Sequence, residues 1–329
     1  LIFVLTFDTF SGERVEGTLK VLMAGPVPRD KVFVAKWIGG MVCLVTPLLA
    51  SMLLMAIVVL LSGSTTIPAG DWLRMASMAG VCVLYVAVVF SLAMMVSVIA
   101  RGPGTAMLAL LALWAVFVVA VPALSTPLSW LLVDPVSPEQ AETLSNRDLW
   151  DLFRSPLQEQ CVKDELRNRN VEALPHGQER SHQESVAWTV CAGRHNWPVY
   201  ADTLKGADDV RARGTQRVEG LSRWLSRLSP YGCLQNVCVT LARTGPEREE
   251  SIRLALHAYH KAQREYYIEQ LDRSPDGAVS GAASPVFRVP RSGLGTDLSV
   301  VGIDIGILLL SGILFLMIGY AVFLRSEIA

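Results

Sequence analysis

Four stretches of this chain run for 25 residues or more with almost no charge, and that constrains its fold more than any other feature. Trp37–Leu61 is 25 residues without a charge, Met75–Ala100 is 26, and Thr105–Val133 is 29. Leu298–Leu324 is 27 residues with one charge, Asp304. An apolar helix needs about 20 residues to cross a hydrocarbon core of ~30 Å. A buried helix of a soluble domain rarely stays uncharged for so long. The sequence therefore predicts four membrane spans. Pro122, Pro127 and the small polar residues near them place the end of the third near Leu124. Leu1–Phe10 is expected to be the end of a further span that begins before this segment.

The remaining charge is concentrated in one block. Residues 134–297 carry 44 of the 59 charged residues, close to evenly divided in sign. The whole chain is 18% charged with a net charge of −1. A soluble globular chain usually carries about 25% charged residues, and nucleic-acid binding usually needs a basic face. An ordinary soluble enzyme, a disordered tail and a nucleic-acid partner are thereby excluded. The expected fold class is all-α: a polytopic helical membrane protein with a mainly helical extracytoplasmic domain.

The expected organisation is the end of a truncated span at 1–10, a cytoplasmic loop at 11–36 and three spans in 37–133. The extracytoplasmic domain fills 134–297, and the last span with a cytoplasmic tail fills 298–329. Orientation follows from the short loops. Arg14, Lys20, Arg29, Lys31 and Lys36 lie in 11–36, Arg101 follows the second span and Arg325 the last, whereas 62–71 has neither Lys nor Arg. Positive residues stay on the cytoplasmic side. Within the spans, Pro47 and Pro122 are expected to bend their helices. Gly302-x-x-x-Gly306 offers a face for close helix contact. Asp304 lies near the outer end of its span, so it is expected to reach water there.

The segment Ser11–Lys36 reads SGERVEGTLKVLMAGPVPRDKVFVAK. Val15, Leu19, Leu22 and Met23 fall on one helical face, and Gly25-Pro26 would end that helix. A short amphipathic helix on the inner membrane surface is expected. Gly12-Glu13-Arg14, Glu16-Gly17-Thr18-Leu19-Lys20, Pro26-Val27-Pro28-Arg29 and Lys36 resemble the first cytoplasmic loop of ABC-2 type transporter permeases. Val15 stands where a second Glu is common, and Ala35 where Gly is. Ala321–Arg325 resembles that family's last helix. The layout is similar to a subgroup with a large extracytoplasmic domain between its last two spans, the permeases of copper-enzyme maturation and gliding-motility systems.

The resemblance implies a role for the loop as a coupling helix that docks on a separate ABC ATPase. Its residues would be Glu13, Arg14, Val15, Glu16, Gly17, Thr18, Leu19, Leu22, Met23, Pro28 and Arg29. It also implies a second permease subunit, identical or different, surrounding membrane lipid, an extracytoplasmic partner protein, and residence in a bacterial inner membrane. It implies six spans per subunit.

In the outer block, Ser137–Ala173 reads as a charged helical stretch and His176–Gly206 as less regular. Asp208–Leu228 and Pro246–Asp272 read as helices, and 274–296 as a linker. Pro230–Leu241 is apolar enough to lie against the outer leaflet. Cys161, Cys191, Cys233 and Cys238 are candidates for disulfides. On one helix the Cα atoms of Cys233 and Cys238 would be more than ~7 Å apart, too far to bridge, so pairing with Cys161 or Cys191 is expected, in a connectivity the sequence leaves open. Cys191-x-x-x-His195 and His257-x-x-His260 have helical spacing but match no established metal motif.

No P-loop, H-E-x-x-H or G-x-S-x-G pattern occurs. Neither a catalytic residue, a cofactor nor a metal site is expected on this chain, and ATP would be bound by the partner. The function expected is a permease subunit of an ATP-driven transporter. The alternative is a membrane-anchored sensor or scaffold whose outer domain binds a ligand or protein.

Overall fold

The computed structural model describes residues 2–18, 28–62, 68–133, 156–273, 281 and 283–325. Among them every regular element is helical. The chain divides into two compact units. The first comprises Leu1–Ser129, Glu219–Gly245 and Ser292–Ala329; the second comprises Trp130–Val218 and Pro246–Arg291.

The first unit opens with α1 (Ile2–Thr6) and α2 (Asp8–Val15). The long helices α3 (Arg29–Leu61) and α4 (Ala69–Ile99) follow, then α5 (Pro103–Trp114) and α6 (Val121–Leu132), joined by a π-helical turn at Ala115–Ala120. α12 (Leu294–Arg325) closes the chain. Four helical stretches are long and apolar enough to cross a membrane: Arg29–Leu61, Ala69–Ile99, Pro103–Leu132 and Leu294–Arg325. The third runs on past Leu124 to Leu132, with Pro127 inside it. The wide turn before Pro122 accounts for that. The Val121 amide reaches back to the Val116 carbonyl, so the ladder opens before the proline ring rather than breaking at it. Pro47 likewise lies inside an uninterrupted α3.

α4 is the centre of this unit and has buried residues along its whole length, from Arg74 to Val98. It packs against α12 in parallel at constant register. A Cβ at Gly312 would lie 3.2 Å from Val88, and one at Gly319 would lie 3.2 Å from the Met95 Cα. Both pairs are seven residues apart, so glycines at one helical repeat let the two backbones close up. Gly302 and Gly306 have nothing within 4 Å of a Cβ, so the close-contact face lies farther along α12, at Gly312 and Gly319. α3 carries an almost continuous exposed row of Val, Leu, Ile and Met from Val42 to Leu61. So large an apolar surface has no place in water and is the face a bilayer would cover.

α10 (Pro230–Leu241) also belongs to this unit. It packs on α4 and α12 through Cys233, Val237 and Leu241, which meet Val81, Val88, Val301 and Leu308. The apolar segment expected against the outer leaflet therefore buries one face, Cys233, Val237 and Leu241, among the bundle helices. Ser229 caps it, accepting from the Tyr231 and Gly232 amides and donating to the Phe117 carbonyl. A Cβ at Gly232 would fall 2.1 Å from the Ser226 carbonyl oxygen, so only glycine permits this turn. The outer block 134–297 is thus not one body: 219–245 leaves it for the membrane helices.

The second unit holds α7 (Pro156–Asn168), α8 (Gln178–Cys191), most of α9 (Trp197–Ser226) and α11 (Pro246–Arg273). A π-helical turn at Ala192–Asn196 joins α8 to α9, so the stretch expected to be irregular is helical. Residues 284–293 carry no helix, as a linker should. Part of the Ser137–Ala173 expectation, residues 137–155, lies outside the described residues.

One disulfide joins Cys161 to Cys191, with Cα atoms 5.8 Å apart, tying α7 to α8. Cys233 and Cys238 are both free, which corrects the expectation that they pair with those two. The reason is the division into units: α10 carries them into the other one.

Candidate functional site

The loop expected to couple to a partner begins in α2. Two expectations change here. The first helix does not run straight out of the bundle: a turn at Phe7 separates α1 from α2, and Phe10, Ser11 and Gly12 are buried. The second helix stops at Val15, and Gly17 takes a positive φ of 78°. A helix from Glu13 through Met23 is thereby interrupted at Gly17. Leu19, Leu22 and Met23 lie outside the described residues.

α2 is held against the bundle by polar contacts at both its ends. The Ser97 hydroxyl accepts from the Phe10 and Ser11 amides at 3.2 and 3.3 Å and donates to the Phe7 carbonyl at 3.0 Å. The Arg14 guanidinium donates to the Val98 and Ala100 carbonyls at 3.2 and 3.3 Å. Those are end carbonyls of α4, which lack helical partners and carry the negative end of the helix dipole. Lys36, near the start of α3, pairs with Glu13 and donates to the Thr9 carbonyl at 2.8 Å. Its ammonium also sits 4.7 Å from the Phe10 ring centre. Beneath them Phe10, Phe33 and Phe323 pack together with Met94 and Val98.

These contacts divide the candidate residues into two groups. Glu13 and Arg14, expected from the resemblance to face a partner, spend their charges inside the chain, where they fix α2 to α3 and α4. Val15, Glu16, Thr18, Pro28 and Arg29 remain exposed, with Val15 at 65%. Thr18 donates to the Glu13 carbonyl at 3.3 Å. The result is a rigid base, tied to the ends of two membrane helices, carrying an exposed rim of mixed apolar and charged groups. Sequence reading missed Ser97; a serine on an otherwise apolar span was its only signal.

A second constellation lies deep among the helices. Asp304 is 1% exposed and does not reach water. Arg227 grips it with two bonds of 2.9 and 2.8 Å, and the Asn236 amide donates to it at 3.0 Å. The Arg227 guanidinium stacks over Trp224 at 4.4 Å. The expectation of a water-reaching carboxylate fails because α10 and the residues before it cover this site and bring it a cation. Arg227 had only a weak readable signal, since it shares the apolar stretch of Trp224, Leu225 and Leu228 with a second charge, Arg223.

Nearer the helix starts, Arg74 pairs with Asp297 and donates to the Ser292 carbonyl at 2.8 Å. Arg243 holds Asp71 at 3.3 Å and Ser292 at 2.9 Å. Arg243 takes a φ of 56° where α10 ends, a position that glycine usually fills.

In the second unit, His257 faces Asp208 at 3.5 Å. Among the described residues no three His, Cys, Asp or Glu side chains gather as a metal site would need. What the arrangement supports mechanically is a bundle with a clamped surface helix at one end.

No curated protein and no solved structure matches the chain. The family described as ABC-2 family transporter protein matches residues 1–328. That match spans both units and all four apolar helices, and it shows that the chain is a membrane protein of the ABC-2 transporter family, of the permease type.

Proposed function

We propose that this chain is the non-catalytic permease subunit of an ATP-driven transporter, and that the surface around α2 receives a separate ABC ATPase. The observation that carries the reading is the clamp. Arg14 binds the end of α4 and Lys36 ties α2 to the start of α3. A push on the exposed rim would therefore pass to two membrane helices as rigid-body movement rather than being lost in a flexible loop. ATP and its hydrolysis belong to the partner.

The rim suits such a partner. Val15 offers exposed apolar area, and Glu16, Arg29, Asp30 and Lys31 are exposed charged residues of the same loop segment. Arg14, Lys36, Arg101 and Arg325 lie at this same end of the first unit, which supports a cytoplasmic position by the positive-inside rule. The second unit would then be extracytoplasmic in a bacterial plasma membrane, where its Cys161–Cys191 bridge is chemically at home. A second permease subunit would complete the pathway across the lipid.

The test is co-purification from membranes. Val15→Asp, and separately Leu19→Glu with Leu22→Glu, should abolish recovery of the ATPase while leaving the amount of chain in the membrane unchanged. Undiminished recovery with all three substitutions combined overturns the coupling role.

A further inference from the structure

In the first unit, the last turns of α9 and the whole of α10 meet at Ser229, and three contacts fix how far this turn reaches along the spans. At the far end of α10 the Leu241 carbonyl accepts from Arg74 at 3.4 Å, and Arg74 pairs with Asp297. Those two charges mark one edge of the apolar region: the uncharged stretch of α4 begins at Met75, and that of α12 begins at Leu298, broken only by Asp304. At the near end the Tyr231 and Tyr85 rings meet edge to face at 6.3 Å. Tyr85 lies eleven residues beyond Arg74 on α4, a helical rise of about 16 Å. The Ser229 hydroxyl donates to the Phe117 carbonyl, close to the middle of the apolar stretch Pro103–Leu132. A hydrocarbon core is ~30 Å thick, so a turn ~16 Å past the edge charges lies near its middle.

We propose that residues 219–241 form a helical hairpin that enters the bilayer from the end marked by Arg74 and Asp297, turns back near its middle, and presents Trp224 and Leu228 to phospholipid acyl chains. α10 turns Cys233, Val237 and Leu241 into the bundle. The other arm lies on α6, where the Ser222 hydroxyl meets those of Ser125 and Thr126 at 3.3 and 3.1 Å. That arm leaves Trp224 60% and Leu228 70% exposed, one turn apart on the same side. At this depth the medium that reaches them is lipid.

The backbone of the turn suits a place without water. The Arg227, Leu228 and Ser229 amides donate to the Arg223, Leu225 and Ser226 carbonyls. Pro230 has no amide donor. Ser229 takes the next three amides, those of Tyr231 and Gly232 on its hydroxyl and that of Cys233 on its carbonyl. A turn in contact with water could leave such donors to the solvent, whereas one inside a bilayer must satisfy them within the protein. The charge carried in on Arg227 is likewise neutralised, by Asp304. The depth of the hairpin is independent of which end of the bundle faces the cytoplasm.

The experiment uses the full chain reconstituted in phosphatidylcholine nanodiscs. One sample contains a phosphatidylcholine with a diazirine midway along an acyl chain, and a parallel sample one with the diazirine on the headgroup. After irradiation the protein is digested with trypsin, and the adducts are located by mass spectrometry. Cleavage after Arg223 and Arg227 separates Trp224 from Leu228. The expected result is acyl-chain label on Leu228 and Trp224, as on the exposed Leu53 and Leu54 of α3, with none on Leu157, which is 66% exposed in the second unit. The headgroup probe should leave Leu228 unlabelled. Acyl-chain label on α3 but on neither Trp224 nor Leu228 overturns the proposal, because a protein surface then covers them. Label on Leu228 from the headgroup probe alone overturns it too, as does acyl-chain label on Leu157 equal to that on Leu228.

Discussion

Arg227 and Arg253 each hold a carboxylate in a guanidinium fork, but in opposite surroundings. In the first unit Arg227 is buried, and its partner Asp304 is 1% exposed. In the second, Arg253 spans Glu250 on its own helix and Asp209 on α9, at 2.6–2.9 Å, with Asp209 37% exposed. Water can replace Arg253 for its carboxylates. Nothing in the bundle can replace Arg227 for Asp304 except Asn236. Charge in the first unit is therefore a matter of position, since α10 and the turn before it must arrive with the cation in register. The Arg253 fork is a water-accessible contact between α9 and α11, in a unit whose covalent bridge joins two other helices, α7 and α8.

The sharpest test of that contrast is Asp304→Leu. It strands a guanidinium among apolar helices, and breaking a buried pair from one side costs about 3–5 kcal/mol. The expected outcome is a large fall in thermal midpoint of the detergent-solubilised protein. Removing both partners, Asp304→Leu with Arg227→Met, should restore most of it, because the residual cost is then one of packing. Equal losses for the single and double variants would break the comparison, since they would mean that the pair contributes shape rather than neutralisation.

Next in size is the bridge. Cys161→Ser with Cys191→Ser removes the one covalent link between α7 and α8, typically worth about 2–4 kcal/mol. Limited proteolysis should show faster cleavage within 156–218 while fragments of the membrane helices stay intact. Equal sensitisation of both units would show that they are not independently held.

The spans were legible because length and lack of charge are read directly from the chain. The ends of the spans were less so. The π-helical turn before Pro122 lets a proline-bearing segment stay helical to Leu132, a backbone adjustment with no residue signature. The surface loop was legible by family likeness, which identified Glu13 and Arg14 but not what they bind within the chain. Their actual partners, Lys36, Val98 and Ala100, are set by tertiary packing. α10 was misplaced for a related reason. An apolar stretch of 12 residues is too short to be recognised as a span, and its buried face meets residues of α4 and α12 far away in the chain. Cysteine pairing failed with it, because Cys233 and Cys238 travel with α10.

The smallest effect belongs to the exposed fork. The Arg253 guanidinium, by its hydrogen bonds, holds the Asp209 and Glu250 carboxyls below their ordinary values of 3.8 and 4.5. A carboxylate depressed in the folded state contributes stability above its unfolded value and loses it as pH falls through the folded one. The contribution is therefore complete near neutrality and fades only below about pH 4. Screening by water limits an exposed pair to about 0.2–1 kcal/mol. Arg253→Ala should thus lower the melting temperature of the second unit slightly at pH 7 and at low salt. The difference from wild type should vanish on acidification below pH 3 or on raising the salt, because either change removes the attraction from the wild type as well. A pH-independent loss of several kcal/mol would instead mean that the Arg253 stem packs the α9–α11 contact. The second unit would then depend on its arginine as the first depends on Arg227.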